Sequence, residues 1–356
     1  MKYDAWHIAM PDQEALDALA GAGYSPLVGY ALCARGCRSA EAARAFVDVS
    51  QPHDPFLLPD MAAAVDRIRR ALEAGEPMAV YGDYDVDGMT SVALLTRFLR
   101  SLGGQVTTYV PDRMEEGYGL NAAALGRLYD EGVRLVITVD AGITAIAEAE
   151  TARAMGLELI ITDHHQCRET LPDACAVVNP CRADSVYPFA HLAGVGVAFK
   201  LACALAAPVS QDKLLDRYGD LLALGTVADV MPLSGENRLF VRRGLAILAR
   251  DGQVGLQALL TEAGASDRRI TAATRGFTLA PRVIAAGRMG NAALAVERLM
   301  TDDPIRAPHR AAELCDRNRT RQQVENEIFT QALDLIDEEA ESAPALVLAG
   351  EGWHPG

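Results

Sequence analysis

The sequence predicts an α/β fold: a doubly wound, mostly parallel sheet, followed by a long connecting helix and the start of a second α/β domain. Short apolar segments alternate with segments of helical periodicity between residues 77 and 178, which is typical of a parallel sheet covered by helices. Acidic motifs follow three of the predicted strands, and ligands of such sheets bind beyond the carboxyl ends of the strands. A charged stretch at 307–341, without Gly or Pro after Pro308 in its first turn, predicts one long exposed helix between two domains.

The elements are predicted in order along the chain. Short helices at 13–20 and 40–47 precede an amphipathic helix at 61–74, which has Val65, Ile68 and Leu72 on one face. Strands and helices then alternate. The predicted strands are 77–81, 105–110, 134–139, 157–162 and 176–178. The predicted helices between them are 90–102, 121–131 and 144–155.

Beyond the sheet, helices are predicted at 195–205 and 213–225, ahead of the long helix. A strand at 345–349 and a loop at 351–356 then resemble the beginning of a domain. The predicted division is an N-terminal helical segment, an α/β core, a helical extension that includes the connector helix, and the start of a second domain. Their bounds are 1–60, 61–240, 241–343 and 344–356.

Composition indicates a globular protein, since 50% of the 356 residues are hydrophobic. No apolar run approaches the ~20 residues that a membrane span needs, and the N-terminus lacks the features of a signal peptide. We therefore expect a cytoplasmic protein without a membrane partner. The net charge of −15 lowers the expectation of a nucleic-acid partner without excluding one, because affinity for nucleic acid follows local phosphate contacts.

The seven cysteines are odd in number and irregularly spaced, which predicts reduced thiols. Cys167, Cys175 and Cys181 follow a pair of histidines, so a zinc site is an alternative, although no CxxC accompanies them.

Four acidic motifs carry the chemistry. Asp163-His164-His165 ends a predicted strand, and the motifs around Asp83–Asp87, Asp140 and Asp229 are placed to converge on it. Carboxylates with imidazole suit Mn²⁺ or Mg²⁺, and two such ions ~3.5–4 Å apart support in-line displacement at phosphorus. The alternative for the Asp83–Asp87 cluster is a solvated acidic turn. The alternative for Asp140 and for Asp229 is a loop or N-cap aspartate. Of the two histidines, we expect one to be a metal ligand and the other to face a phosphate.

The segment Asp83-x-Asp85-x-Asp87-Gly88 matches half of a calcium-binding EF-hand loop. Its twelfth position is Leu94 instead of Glu, and a strand precedes it instead of a helix. A tight turn that carries carboxylates, with a helix starting near Thr90, fits better. We expect Asp87 to lie on this turn at the surface, so that its substitution leaves the fold largely intact.

Other residues are candidates for phosphate or base contacts. Gly194-x-Gly196 precedes a helix and predicts either a phosphate cradle or close helix packing. Arg282 and Arg288 lie in a predicted glycine-bearing loop and are either phosphate ligands or ordinary surface arginines. Tyr118 either stacks on a base or packs within the protein.

These motifs resemble, in order and spacing, those of the DHH phosphoesterase superfamily. The finer motifs are similar to those of the single-strand-specific exonucleases of the RecJ family, from about Met61 to the last residue. They are Glu116–Asn121, Gly194–Lys200, Met231–Leu233, Glu236–Arg238, Ala285–Arg288 and Asn318–Gln322.

The resemblance implies two ions, Mn²⁺ or Mg²⁺, and 5′→3′ removal of nucleotides from single-stranded DNA in recombination and repair, with single-strand-binding protein as a partner. Asp85 and Asp140 would hold one metal, and Asp87, Asp140, His164 and Asp229 the other. His165 would touch the second metal or the scissile phosphate, and Asp163 would orient a histidine. Arg282 and Arg288 would contact the DNA backbone.

The chain departs from the family pattern at two positions. Tyr81 stands where superfamily members often carry a histidine, which predicts weaker binding of the first metal. Ile284 stands where the family has an asparagine. We also expect the DNA-gripping second domain and the OB-fold that usually follows it to be truncated. Two alternatives stay open: a phosphoesterase for oligonucleotides, cyclic dinucleotides or pyrophosphate, and a binding module without activity.

Overall fold

A parallel five-stranded sheet forms the centre of the molecule. The computed structural model describes residues 10–48, 51–266, 270–289, 292–336 and 345–354. The strand order is β2-β1-β3-β4-β5, and every paired neighbour is parallel. The strands are β1 (Met78–Gly82), β2 (Val106–Tyr109), β3 (Leu135–Val139), β4 (Glu158–Thr162) and β5 (Ala176–Val178).

Fifteen helices surround this sheet in the described parts of the chain. Before the sheet lie α1 (Gln13–Gly21), α2 (Pro26–Cys33), α3 (Ala40–Val47) and α4 (Met61–Ala74). Between its strands along the chain lie α5 (Val86–Ser101), α6 (Ala122–Asp130) and α7 (Ile146–Met155). After it lie α8 (Gly194–Ala206), α9 (Gln211–Ala228), α10 (Gly235–Asp251), α11 (Val254–Glu262), the one-turn α12 (Ala272–Thr274), α13 (Ala280–Arg288), α14 (Ala292–Leu299) and α15 (Ala307–Asp334). A 3₁₀ turn at Pro55–Leu57 and a π-helical turn at Arg275–Leu279 complete the elements.

Alternate residues of each strand face opposite layers of helices. Met78 and Val80 belong to a large core with α4, α5 and α8, whereas Ala79 and Tyr81 belong to a second core with α6 and α7. Both faces of the sheet are therefore covered, as the apolar strands require. This arrangement confirms the doubly wound α/β fold.

The winding direction reverses between β1 and β3. The chain passes from β1 to β2 on one side of β1 and then returns to add β3 on its other side. A crevice opens at such a reversal, beyond the carboxyl ends of the two strands. The residues that follow β1 and β3 therefore meet at one place.

Several predictions about the elements need correction. The helix expected to start near Thr90 begins at Val86, because Asp85 caps it. The expected strand at 345–349 is wrong, since residues 345–350 carry no regular secondary structure. The predicted glycine-bearing loop around Arg282 and Arg288 is instead helix α13, which ends at Arg288. Helices α2, α10, α11 and α14 were not predicted.

The long helix is confirmed from Ala307 to Asp334, but it is not a fully exposed spacer. Ala311, Leu314 and Cys315 are buried in the large core together with residues of α11, α13 and α14. Residues 337–341 of the predicted helix lie outside the described residues. The division into four segments, with its three boundaries, remains a prediction. Among the described helices, none combines the length and apolar character that crossing a membrane requires.

Candidate metal centre

The acidic motifs meet at the crevice between β1 and β3. Asp83 follows β1, Asp140 follows β3 directly, and Asp163 follows β4 directly. The fourth residue, Asp229, arrives from another part of the fold as the C-cap of α9. The convergence predicted from the sequence is therefore present.

The N-terminal turn of α5 carries two of the carboxylates. Asp85 is its N-cap, and its Oδ1 accepts a hydrogen bond from the Gly88 amide at 2.9 Å. Asp87 lies in the first turn and is only 1% exposed. The predicted surface location of Asp87 is therefore wrong, because the helix starts earlier and turns this side chain inward.

Asp87 binds the N-terminus of α8. Its carboxylate accepts hydrogen bonds from the amides of Gly194 and Val195 at 2.7 and 2.9 Å. An anion at a helix N-terminus satisfies free amides and interacts favourably with the helix dipole. In this structure these two amides serve a carboxylate of the protein, so the Gly194-x-Gly196 segment acts in helix packing and not as a phosphate cradle.

Helix α9 lies directly against Asp87 because Gly225 has no side chain. A Cβ at this position would lie 2.7 Å from Asp87 Oδ1 and 2.3 Å from Thr90 Oγ1. This close approach brings Asp229, four residues further along, to the metal centre.

His164 is the centre of the cluster. Its Nε2 lies 3.0 Å from Asp140 Oδ1, 3.6 Å from Asp229 Oδ2 and 3.9 Å from Asp87 Oδ2. Three overlapping groups bring their ligand atoms within 4.8 Å of one another. They are Asp140 with His164 and His165, Asp87 with His164 and Asp229, and Asp83 with Asp85 and Asp140.

Four buried ligand atoms here have no hydrogen-bond partner among the described residues. They are Asp83 Oδ1, Asp140 Oδ1, His164 Nε2 and Asp229 Oδ2. Buried polar atoms are normally paired, since an unpaired one loses its hydration without compensation. Oxygen and imidazole donors fit Mn²⁺ or Mg²⁺, so these residues fit two such ions. No cysteine enters a group of this kind in the described parts of the chain, which removes support for the zinc alternative.

The metal-free cluster is electrostatically unfavourable. Burial raises the pKa of Asp83 to about 7, and the neighbouring Asp85 adds to the effect. Burial and then Asp85 raise the pKa of Asp229 to about 6. The pKa values of Asp87 and Asp140 are also raised, by burial first and by neighbouring carboxylates second. Divalent cations would relieve this repulsion.

The two adjacent histidines have opposite environments. Burial, and then the neighbouring His165, lower the pKa of His164 to about 4, so its ring is neutral near pH 7. The Leu192 carbonyl accepts a hydrogen bond from this ring. Since Nε2 has no such partner, Nδ1 is the donor and Nε2 presents its lone pair to the cluster.

His165 is instead 46% exposed, and its Nδ1 lies 2.7 Å from Asp163 Oδ1. This hydrogen bond raises the pKa of His165 to about 8. Asp163 also accepts hydrogen bonds from the amides of His164 and His165 at 2.7 and 3.1 Å. Asp163 therefore fixes the backbone that carries both histidines, as well as the ring of the second.

Asp140 has a left-handed backbone, with φ of 58°. Such a conformation is strained for a residue with a side chain. Its carboxylate is 2% exposed and central to the cluster, so the strain coincides with the candidate site.

Asp83 was not predicted as a ligand, although it opens the same acidic motif. Its carboxylate lies with those of Asp85 and Asp140, whereas Tyr81 is fully buried in the second core. The Tyr81 hydroxyl donates to the Gly119 carbonyl at 3.0 Å. Asp83, Asp85 and Asp87 stand at alternate positions of the motif, and this spacing was the sequence signal for Asp83. Whether a residue at the end of a strand faces the metals depends, however, on the backbone of the turn.

Tyr118 stands beside the candidate metal centre. Its ring is 56% exposed and makes edge contacts with Tyr84 and His165, each at 6.3 Å between centroids. It lines a cavity of about 320 Å³ together with Asp163 and His165. Its base contact remains a prediction.

The two arginines lie on α13 and are partly buried. Arg282 donates to the Thr278 carbonyl at 2.6 Å, and Arg288 lines a cavity of about 230 Å³ with Arg321. Burial, then Arg113 and Arg321, lower the pKa of Arg288. Gly287 packs so closely that a Cβ there would lie 2.4 Å from the Tyr84 carbonyl oxygen, so α13 rests on the acidic turn. Contacts of these arginines with DNA remain predictions.

Comparisons with known proteins agree with this geometry. Residues 77–226 match the DHH family, N-terminal domain. The chain is 42% identical to the single-stranded-DNA-specific exonuclease RecJ of Bacillus subtilis (strain 168), over 99% of this chain and 44% of that protein. It is 36% identical to the protein of the same name from Escherichia coli (strain K12), over 93% of this chain and 60% of that protein. The chain thus spans about half the length of these curated relatives.

Solved structures are also similar to this chain, in sequence and in fold. One described as exonuclease RecJ bound to manganese is 37% identical, with a TM-score of 0.76 over 85% of this chain and 76% of that chain. RecJ of Thermus thermophilus in complex with Mn²⁺ is 33% identical, with a TM-score of 0.78 over 96% of this chain and 49% of that chain. Because both the sequence and the fold agree over most of its length, the chain belongs to the DHH family and, within it, to the RecJ family.

Proposed function

We propose that this chain is a metal-dependent exonuclease that removes nucleotides from single-stranded DNA in the 5′→3′ direction, in recombination and repair. Curated relatives at 42% and 36% identity are named single-stranded-DNA-specific exonucleases. Structures of relatives are described as complexes with Mn²⁺ and with Mg²⁺. Since the chain spans about half of those relatives, the activity has to be tested on this chain itself.

The observation that carries the proposal is the set of four unpartnered ligand atoms on Asp83, Asp140, His164 and Asp229. One ion would be held by Asp83, Asp85 and Asp140, and the other by Asp87, Asp140, His164 and Asp229, with Asp140 shared. Two divalent ions of this kind stabilise the attacking and leaving oxygens of an in-line displacement at phosphorus.

The remaining residues bind and orient the substrate. Because the pKa of His165 is raised to about 8, its ring carries a positive charge near neutral pH and attracts the scissile phosphate. Asp163 keeps this ring in place through the bond to Nδ1. Arg282 and Arg288 supply positive charge for the DNA backbone, and the exposed ring of Tyr118 offers a surface on which a base can stack.

The same proposal includes two further points from the sequence. Single-strand-binding protein would deliver the substrate, and the protein would act in the cytoplasm.

The test is release of mononucleotides, in Mn²⁺, from single-stranded DNA labelled at its 5′ end. A 3′-labelled strand, a duplex and an RNA dinucleotide serve as controls. Early release of labelled mononucleotide from the 5′-labelled single strand alone supports the proposal. Cleavage of only the dinucleotide would assign the site to a small-substrate phosphoesterase. Release of the 3′ label first would contradict the proposed direction.

A further inference from the structure

Helix α9 ends in a Schellman turn with an unusual residue. The amide of Val230 donates to the Val227 carbonyl at 3.2 Å, and the amide of Met231 donates to the Thr226 carbonyl at 3.4 Å. This pair of bonds defines the motif, and its left-handed position is usually glycine. Here Val230 occupies it, with φ of 57°.

A β-branched residue in this conformation is strained. Packing does not offset the strain, because the Val230 side chain is 85% exposed. Glycine would form the same turn without strain. The free protein therefore gains little from the isopropyl group that it holds in this position.

The neighbours of Val230 enforce its conformation. On one side, the Asp229 amide donates to the Gly225 carbonyl at 2.9 Å. On the other side, Met231 packs against the large core. Val230 is thus held between a fixed helix end and a packed side chain.

The strained residue lies next to a candidate metal ligand. Asp229 Oδ2 is 3.6 Å from His164 Nε2, and consecutive Cα atoms are about 3.8 Å apart. A phosphate held at the Asp229 side of the cluster would place its attached nucleoside within reach of the Val230 side chain. An exposed aliphatic group is suited to contact with the carbon face of a sugar ring.

We propose that Val230 is a substrate-contacting residue, whose isopropyl group packs against the sugar of the nucleotide at the metal centre. The inference rests on the proposed function, since it requires a nucleotide substrate. It explains why an exposed valine stands where the backbone favours glycine.

The test compares V230G, V230A and V230I with the wild type. Removal of the apolar contact in V230G and V230A is expected to raise KM for single-stranded DNA about five- to tenfold at unchanged kcat, because the contact is made equally before and during the reaction. V230I retains the contact, so its KM is expected to stay within about twofold of the wild type. Mn²⁺ affinity, measured by calorimetry without DNA, is expected to remain unchanged in all three.

The melting temperature in EDTA provides an independent readout. V230G should melt at or above the wild-type temperature, since the strain is removed. The matched control is V186G, a substitution at another exposed valine, 73% exposed and without a positive φ. That control should lower the melting temperature and leave KM unchanged.

An unchanged KM in V230G and V230A would overturn the proposal, and so would a tenfold loss of Mn²⁺ affinity in V230G, which would mean that Val230 positions Asp229. If the wild type digested no single strand, the proposed function would fail. The Val230 contact would then be judged on binding of oligodeoxythymidylate to the Mn²⁺-loaded protein, where equal affinity of wild type and V230G would overturn it.

Discussion

Two buried polar clusters lie at different points along α8 and differ in how their atoms are paired. At the N-terminus of α8, Asp87 and its neighbours form the candidate metal centre. Further along, Lys200 and Glu236 are 0% and 1% exposed. With Tyr187, Gln211 and the His53 carbonyl, they form what we call the Lys200 cluster.

The Lys200 cluster is internally satisfied. The ammonium of Lys200 contacts Glu236 at 2.5 Å and donates to the His53 carbonyl at 2.8 Å and to Gln211 Oε1 at 3.0 Å. Glu236 also accepts hydrogen bonds from the Tyr187 hydroxyl and the His53 amide. A paired buried charge of this kind attaches the segment around His53 to α8 and α10, so we assign it a structural role.

At the metal centre, by contrast, four ligand atoms lack partners among the described residues. Burial alone therefore does not distinguish structural from functional polar groups. Isolated unpaired atoms also occur elsewhere among the described residues, as at Asn237 Oδ1 and Gln253 Oε1. The distinction lies in whether several facing ligand atoms are left unpaired together, and the following substitutions test it.

The largest effect is expected from D140N. The substitution keeps the shape of the side chain but removes the charge that both proposed ions share. We expect the cleavage rate to fall by about 10³-fold or more, because each metal-centred interaction contributes several kcal/mol. The melting temperature in EDTA should rise, since a repelled carboxylate is removed. D173N, at a 63% exposed side chain paired with Arg153, is the matched control. Activity within tenfold of the wild type would contradict the role of Asp140.

K200M is expected to lower stability and to leave the cleavage rate unchanged, in contrast to D140N. It leaves Glu236 buried without its cation, which should lower the free energy of unfolding by about 3–5 kcal/mol, as measured by urea denaturation. The rate per folded molecule should be unchanged, because Lys200 does not contact the metal centre. K213M removes an exposed lysine and should change stability little. A loss of less than about 1 kcal/mol in K200M would show that pairing in the Lys200 cluster is not essential to the fold.

A smaller effect concerns pH. The pKa of Asp83 is raised from 3.8 to about 7 by burial and Asp85, so the folded protein binds this proton more tightly than the unfolded chain does. Stability from Asp83 is therefore fully present below about pH 4 and is lost as the pH rises through about 7. His164 contributes with the opposite sign, because its pKa is lowered.

The comparison with D83N isolates the Asp83 contribution. In EDTA, the melting temperature of D83N minus that of the wild type should grow as the pH rises from about 4 to about 7, and Mn²⁺ should reduce this difference. A difference that is constant across the window would mean that Asp83 carries no perturbed charge.

The sequence predicted much of the sheet and the convergence of residues at the candidate metal centre, for a physical reason. Strands buried on both faces must be apolar, and parallel strands place their carboxyl ends at one edge, so Asp85, Asp140 and His164 could be placed together without coordinates. The burial of Asp87 could not be predicted in this way. It depends on the helix starting at Val86 and on the N-terminus of α8, which arrives from more than a hundred residues away.

The helical region after the sheet was predicted less well. Its helices also approach one another through small residues, as Gly219 of α9 and Gly244 of α10 do, and such contacts add no periodic apolar signal. The strained conformation of Val230 gave no sequence signal, because an isolated valine is ordinary in any segment. In both cases the structure depends on which backbone segments lie close together in space, and a local sequence pattern does not show this.

The smallest effect is expected from R288A. This substitution tests whether a buried, unpaired atom of a cationic side chain also marks a ligand site. The Nε of Arg288 is another buried atom without a hydrogen-bond partner among the described residues, and Arg113 and Arg321 are close enough to lower the pKa of Arg288 after burial has done so. Like charges gathered in this way favour an anion, so we expect the KM for single-stranded DNA to rise about tenfold, as for loss of one charge-assisted hydrogen bond. The salt dependence of binding should also weaken.

R319A, on α15 and paired with Asp316, is the control and should leave both quantities unchanged. If R288A bound DNA as the wild type does, an unpartnered atom would not by itself identify a ligand site, and the assignment of the metal centre would rest on its converging carboxylates alone.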